Sequence, residues 1–281
     1  MSTGTRNLKK QVTKNLKIKM MKKLTFLTLM AVTALFFASC EEDEDTSKVD
    51  FNVVVTGESP NAIVQITNTS DSADVFTWGF SEGANITTTT ETNPQVIVDK
   101  TGDFKITLIA TTGEKEEKKS KTVKITGKNG ISFFENLEFG RSGYTNTYGE
   151  YFSCSSGLVY TENELTNSIK SIIDFVIYAR GGIVIYGPDE CDDPIVGYRT
   201  TDFNNNIDNS FTIEDFNNLQ DDENLKNLSN ADNYYVVVYF EEPPRVILMK
   251  DYEGKWGAIK LKEVQTEKII VDVKMQKYLS E

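Results

Sequence analysis

From Val49 onward, apolar residues recur at every second position, in short runs broken by polar turns. Ala62-Ile63-Val64-Gln65-Ile66, Gln95-Val96-Ile97-Val98, Phe104-Lys105-Ile106-Thr107-Leu108 and Thr122-Val123-Lys124-Ile125 all follow this pattern. Successive side chains of a strand point to opposite faces, so a period of two buries one face and solvates the other. With Phe51–Val55 and Val75–Phe80, these runs predict a β-sandwich over residues 49–127. The Glu/Lys-rich stretch Lys115–Lys121 reads as a hairpin connection near its end.

Gly127-Lys128-Asn129-Gly130 has two glycines and no apolar side chain, and marks a boundary. Residues 131–281 are enough for a second core. There Ile172–Tyr178 and Ile183–Tyr186 flank Gly181-Gly182 as a hairpin. Tyr234–Glu241 reads as a buried strand, followed by strands at Val246–Lys250, Trp256–Val264 and Ile269–Met275. Thr161 and Glu164 have capping-box spacing ahead of Leu165 and Ile169. Thr212 is placed to cap a helix with Phe216 and Leu219 on one face. The fold class expected is mainly β: a sandwich, then a mostly antiparallel β domain with short peripheral helices.

Asn68-Thr69-Ser70, Phe76-Thr77-Trp78-Gly79-Phe80-Ser81-Glu82-Gly83, Asn93-Pro94 and Gly102-Asp103-Phe104 occur in an order and spacing that resemble the polycystic-kidney-disease (PKD) domain. The resemblance implies an immunoglobulin-like sandwich with Trp78 and Phe80 in the core and a turn at Gly83. Gly79 and Ser81 replace the family's Asp and Gly, so the role of that acidic residue does not carry over. Domains of this family are usually spacers or binding modules.

The first thirty-nine residues read as a leader and signal peptide. Lys22 and Lys23 precede an apolar run, Leu24–Phe37, that is too short to span a bilayer, and Ala38-Ser39-Cys40 closes it. Leu35-Phe36-Phe37-Ala38-Ser39-Cys40 resembles a bacterial lipobox, with Phe37 where the family carries Leu. The resemblance implies a diacylglycerol thioether on Cys40. Met1–Lys19 is a basic leader, and a start at Met20 or Met21 gives a signal peptide of ordinary length. Glu41-Glu42-Asp43-Glu44-Asp45 makes residues 40–48 a solvated acidic tether. An acidic patch after the lipidated cysteine resembles the export signal of Bacteroidetes-type lipoproteins, which implies the cell-surface side of the outer membrane, with a periplasm-facing anchor as the alternative.

The chain has no histidine, which excludes Ser-His-Asp and Cys-His catalysis and His-ligated metals. Its 30 basic and 42 acidic residues give a net charge of −12. Loss of residues 1–39 leaves 22 basic residues and a charge of −20. Nucleic acid is therefore not an expected partner. Neutral glycans, cations and basic proteins remain compatible with such a surface.

Cys154 and Cys191 form either a disulfide, which an exported protein permits, or two buried thiols. Asp189, Glu190, Asp192 and Asp193 surround Cys191 and offer oxygen ligands for calcium, or make a solvated acidic loop. No other cofactor is expected, and no carboxylate pair has a spacing that singles it out for catalysis, so no enzyme activity is expected. Tyr144, Tyr148 and Tyr151 lie among Gly, Ser, Thr and Asn, a composition that suits either sugar stacking or turn packing. Trp256, beside the turn Asp251–Lys255, is a further aromatic candidate.

Ile173-Asp174-Phe175-Val176-Ile177-Tyr178, Gly187-Pro188-Asp189, Gly254-Lys255-Trp256-Gly257-Ala258-Ile259-Lys260 and Ile270-Val271-Asp272-Val273-Lys274 resemble the C-terminal domain of uncharacterised Bacteroidetes surface lipoproteins. Similar proteins sit near polysaccharide-uptake machinery, which implies glycan capture by residues 131–281. The alternative is a structural or adhesion lipoprotein whose partner is another envelope protein.

Overall fold

The computed structural model describes residues 49–191 and 199–279; Cys40, the acidic tether, Asp192 and Asp193 lie outside them. Lys48–Glu281 cluster as one compact unit. Seven strands build its N-terminal body: β1 (Phe51–Thr56), β2 (Ala62–Asn68), β3 (Val75–Phe80), β4 (Thr88–Thr89), β5 (Gln95–Val98), β6 (Gly102–Thr112) and β7 (Lys115–Ile125). They form two antiparallel sheets, β1-β2-β5 and β4-β3-β6-β7. The alternation works as expected: β2 buries Ala62, Val64 and Ile66, and β6 buries Phe104, Ile106, Leu108 and Ala110. Trp78 is fully buried, edge-on to Phe51 at 5.2 Å, with its indole N–H donating to the Glu91 carbonyl at 2.8 Å. Phe80 stacks on Phe104 at 6.3 Å. Gly83 has φ of +99°, and a Cβ there would lie 2.5 Å from Lys100 Cβ, so no larger residue fits.

Lys115–Lys121 is not a connection. It is the first part of β7, which pairs with β6 along its whole length. β7 is an edge strand, where charged side chains are solvated and discourage pairing with other chains.

The C-terminal body contains β8 (Ile131–Gly140), β9 (Tyr151–Ser153), β10 (Leu158–Tyr160), β11 (Phe175–Ala179), β12 (Ile183–Tyr186), β13 (Asp202–Asn204), β14 (Tyr235–Val238), β15 (Arg245–Lys250), β16 (Trp256–Val264) and β17 (Lys268–Gln276). These make two five-stranded antiparallel sheets, β10-β9-β11-β12-β14 and β13-β15-β16-β17-β8. Phe139, Phe152, Phe175, Ile177, Ile247, Ile259 and Val273 belong to the core that the two sheets share. Short helices lie at the periphery: α1 (Thr145–Tyr148), α2 (Asn167–Lys170), α3 (Ile213–Asn218) and α4 (Glu223–Lys226). The molecule is thus mainly β, with antiparallel sheets and few, short helices.

Both capping signals form, with one difference. Thr212 and Asp215 close a capping box at the start of α3, whose Phe216 is buried. Thr161 and Glu164 close one over a single 3-10 turn, and Thr166 caps the next helix, α2. The segment Gly127–Gly130 is held from both sides. Lys128 N–H donates to Ser59 O at 3.1 Å, Asn129 Oδ1 accepts from Thr101 N–H at 2.9 Å, and Asn129 N–H donates to Asp222 at 3.1 Å.

Candidate functional site

Tyr234–Glu241 is not a buried strand: β14 is the last strand of its sheet and alternates exposed and buried residues. Val236 and Val238 enter the core, and Tyr235, Val237 and Tyr239 are 60%, 43% and 64% exposed. Register extends this outward face across the sheet. Val237 lies opposite Val184, which lies opposite Tyr178; Tyr235 lies opposite Tyr186, which lies opposite Val176. With strands about 4.8 Å apart and alternate residues about 6.8 Å apart, the face measures roughly 10 by 14 Å.

The same face closes toward its other edge. Tyr151, Ile173, Val176 and Cys191 are buried there, with Leu165 and Ile169 packed over them. Tyr178 and Tyr186 stand at the margin, half-buried, with ring centroids 6.0 Å apart. Arg180 lies over the Tyr178 ring at 4.0 Å and donates to its hydroxyl at 2.5 Å. The open part is therefore an aromatic and aliphatic surface with one guanidinium at its edge.

Glu150 sits beneath this margin, 4% exposed, and its Oε1 has no hydrogen-bond partner among the described residues. Burial pushes its carboxyl up to about 7; Arg180 opposes the shift and Glu162 adds to it. The Tyr186 phenol is also pushed up, by burial first and then by the neighbouring Cys191.

The structure separates the aromatic candidates of the sequence. Tyr151 is 3% exposed because the segment around α2 covers it, and Trp256 is 8% exposed beneath α3 and α4, in a cluster with Phe211, Phe216 and Leu225. Neither presents a ring to a ligand. Tyr144 is the N-cap of the single turn of α1, and Tyr148 is its last residue. Tyr144 is exposed; Tyr148 donates to Glu267 at 3.2 Å and has the Lys268 ammonium 4.9 Å above its ring.

Cys154 and Cys191 are thiols, and no disulfide joins them. Cys154 packs against the core between the sheets, whereas Cys191 belongs to the cluster on the outer face, so a sheet lies between them. Asp189 and Glu190 lie in a 3-10 turn, where Asp189 Oδ2 accepts from the Thr200 hydroxyl at 2.8 Å. Among the described residues, no three acidic or cysteine side chains gather as a metal site.

Between the two bodies runs a charged cleft of about 760 Å³. Four of its five lysines are paired: Lys100 with Glu82, Lys128 with Glu223, Lys255 with Glu253, and Lys277 with Asp99. Such pairing suits a strut between the bodies better than a receptor for anions. Among the described residues, no helix is long and apolar enough to cross a membrane.

No family model and no curated protein match the chain. Among solved structures it is similar to a DUF4466 family protein from Parabacteroides merdae, at 13% identity and a TM-score of 0.41, over 83% of this chain and 99% of that one. At that identity and score, the likeness assigns neither a site nor an activity.

Proposed function

We propose that this chain is a non-enzymatic, surface-anchored lipoprotein that binds extracellular glycan through the tyrosine face of its C-terminal body. The carrying observation is the open face of Tyr235, Val237 and Tyr239, bordered by the half-buried Tyr178, Val184 and Tyr186. Tyrosine rings offer sugars a flat apolar surface and a polar rim, at low cost in side-chain entropy. Arg180 supplies donors at the margin. In this reading Cys40 carries the lipid, residues 41–48 form the tether, and the PKD-like body lifts the binding face off the membrane. Calcium is an accessory, through Asp189, Glu190, Asp192 and Asp193.

The test is retention of the full chain on a panel of immobilised polysaccharides, with and without calcium. Retention on at least one neutral glycan supports the reading, and no retention on any removes it. For the anchor, Cys40→Ala is expected to move the protein from the membrane fraction to the soluble one. A second reading, adhesion to another envelope protein, is favoured by the open edge of β14.

A further inference from the structure

We propose that the open edge of β14 takes an extended, basic-flanked segment of a partner protein as a sixth strand of its sheet. This does not depend on the glycan reading, because the edge presents backbone and the face presents side chains.

Gly187 N–H donates to Tyr234 O, which fixes the phase of the β12–β14 ladder. In an antiparallel pair, residues two apart point their backbone groups to the same side. Tyr234, Val236 and Val238 therefore bond to β12, and Tyr235, Val237 and Tyr239 turn their N–H and C=O groups outward. Asn233 confirms the phase, since it exchanges both backbone bonds with Phe203 on that outward side. Beyond Asn233 no described strand pairs with β14 there. The Tyr239 carbonyl accepts from Glu242 N–H in the following turn. What remains is a row made of the Tyr235 and Val237 N–H and C=O groups and the Tyr239 N–H. An extended chain supplies the alternating donors and acceptors that such a row requires.

Edge strands are normally blunted by lysine, proline or a bulge. Tyr234-Tyr235-Val236-Val237-Val238-Tyr239-Phe240 contains neither lysine nor proline, and its pairing with β12 has no register shift. β7, the charged edge strand of the N-terminal body, shows the contrasting treatment.

The ends of the strand choose the occupant. Asp232 precedes it and Glu241 and Glu242 follow, all exposed; Glu242 is paired with Arg245, so Asp232 and Glu241 carry the acidic character of the two ends. Near the first end, burial and then Asp189 and Asp232 raise the Asp202 carboxyl, and Lys250 opposes them. A second copy paired antiparallel about Val237 would bring Asp232 beside Glu241 at each end, and parallel pairing would set Asp232 and Glu241 each against itself. Both arrangements repel, and the net charge of −12 adds to the repulsion. A strand with lysine or arginine at both ends meets complementary charge instead.

The probe is a synthetic peptide of five alternating threonines and valines with two lysines at each end; its control ends in glutamates. Fluorescence anisotropy with the full chain is expected to show the lysine-ended peptide binding at least about tenfold tighter. Hydrogen exchange at the amides of Tyr235, Val237 and Tyr239 slows on binding. Val237→Pro removes the central outward N–H and abolishes both effects. If that variant fails to fold, Asp232→Lys combined with Glu241→Lys leaves the strand intact and reverses the preference between the peptides. Equal binding of both peptides, unchanged exchange at the three amides, or a dimer of the chain that protects those same amides would each overturn the proposal.

Discussion

The ammonium of Lys274, on β17, donates to the carbonyl oxygen of Phe216, on α3, at 2.9 Å, and it donates to Leu219 O at the same distance. A six-residue helix cannot satisfy its own C-terminal carbonyls, and a cation placed there neutralises the negative end of the helix. Lys274 is 6% exposed, and burial lowers its pKa. The sheet thus fastens the helix that covers Trp256. Lys274→Met is expected to lower stability by about 2–3 kcal/mol, because it strips buried carbonyls of a charged donor. Chemical denaturation checks this, with enhanced Trp256 fluorescence quenching as the local readout.

Glu150 gives a pH dependence of defined sign. Its folded pKa of about 7 lies above the ordinary 4.5, so between these values the folded state holds a proton that the unfolded state has lost. Stability from this group is fully present below about 4.5, falls as pH rises toward 7, and is flat above. The loss is on the order of 3 kcal/mol at most. Glu150→Gln is expected to remove this slope and to be more stable than the parent at pH 8. Urea denaturation of both proteins between pH 4 and 8 measures it.

The cysteines offer a chemical test. With Cys154 on the core side of the sheet and Cys191 on the outer side, peptide mapping without reductant should recover each as an alkylated thiol. A cross-linked peptide containing both would contradict the packing. Burial, first, and the nearby Asp174 carboxylate push the Cys154 thiol well up, so it should react slowly in the native protein.

The two bodies are clasped at Asp99, which accepts from Lys277 at 2.5 Å and from the Tyr278 hydroxyl at 2.6 Å. Asp99→Ala is expected to speed hydrogen exchange and proteolysis at Gly127–Gly130 while leaving exchange in both sheet cores unchanged.

How far the fold could be read from the sequence depended on how local each signal was. Strands with a polar alternate position, such as Ala62–Asn68 and Gly102–Thr112, declare their faces, and Thr212 declares a helix start. Tyr235, Val237 and Tyr239 do not, because valine and tyrosine suit a core and a solvated edge face equally, and only strand order places β14 last. The burial of Trp256 was likewise invisible: its turn is exposed, but α3 and α4 return over it from residues far away in the chain. The charged half of β7 resembles a loop in composition, although an edge strand tolerates those charges.

The most direct test of the tyrosine face compares two pairs of substitutions on the full chain, by affinity electrophoresis in whichever polysaccharide retains the parent. Tyr235→Ala with Tyr239→Ala removes the open rings of β14 and is expected to abolish retardation, whereas Tyr144→Ala with Tyr148→Ala, beside α1, is expected to leave it unchanged. Retardation that survives the first pair, or is lost only with the second, would contradict the assignment of glycan binding to this sheet.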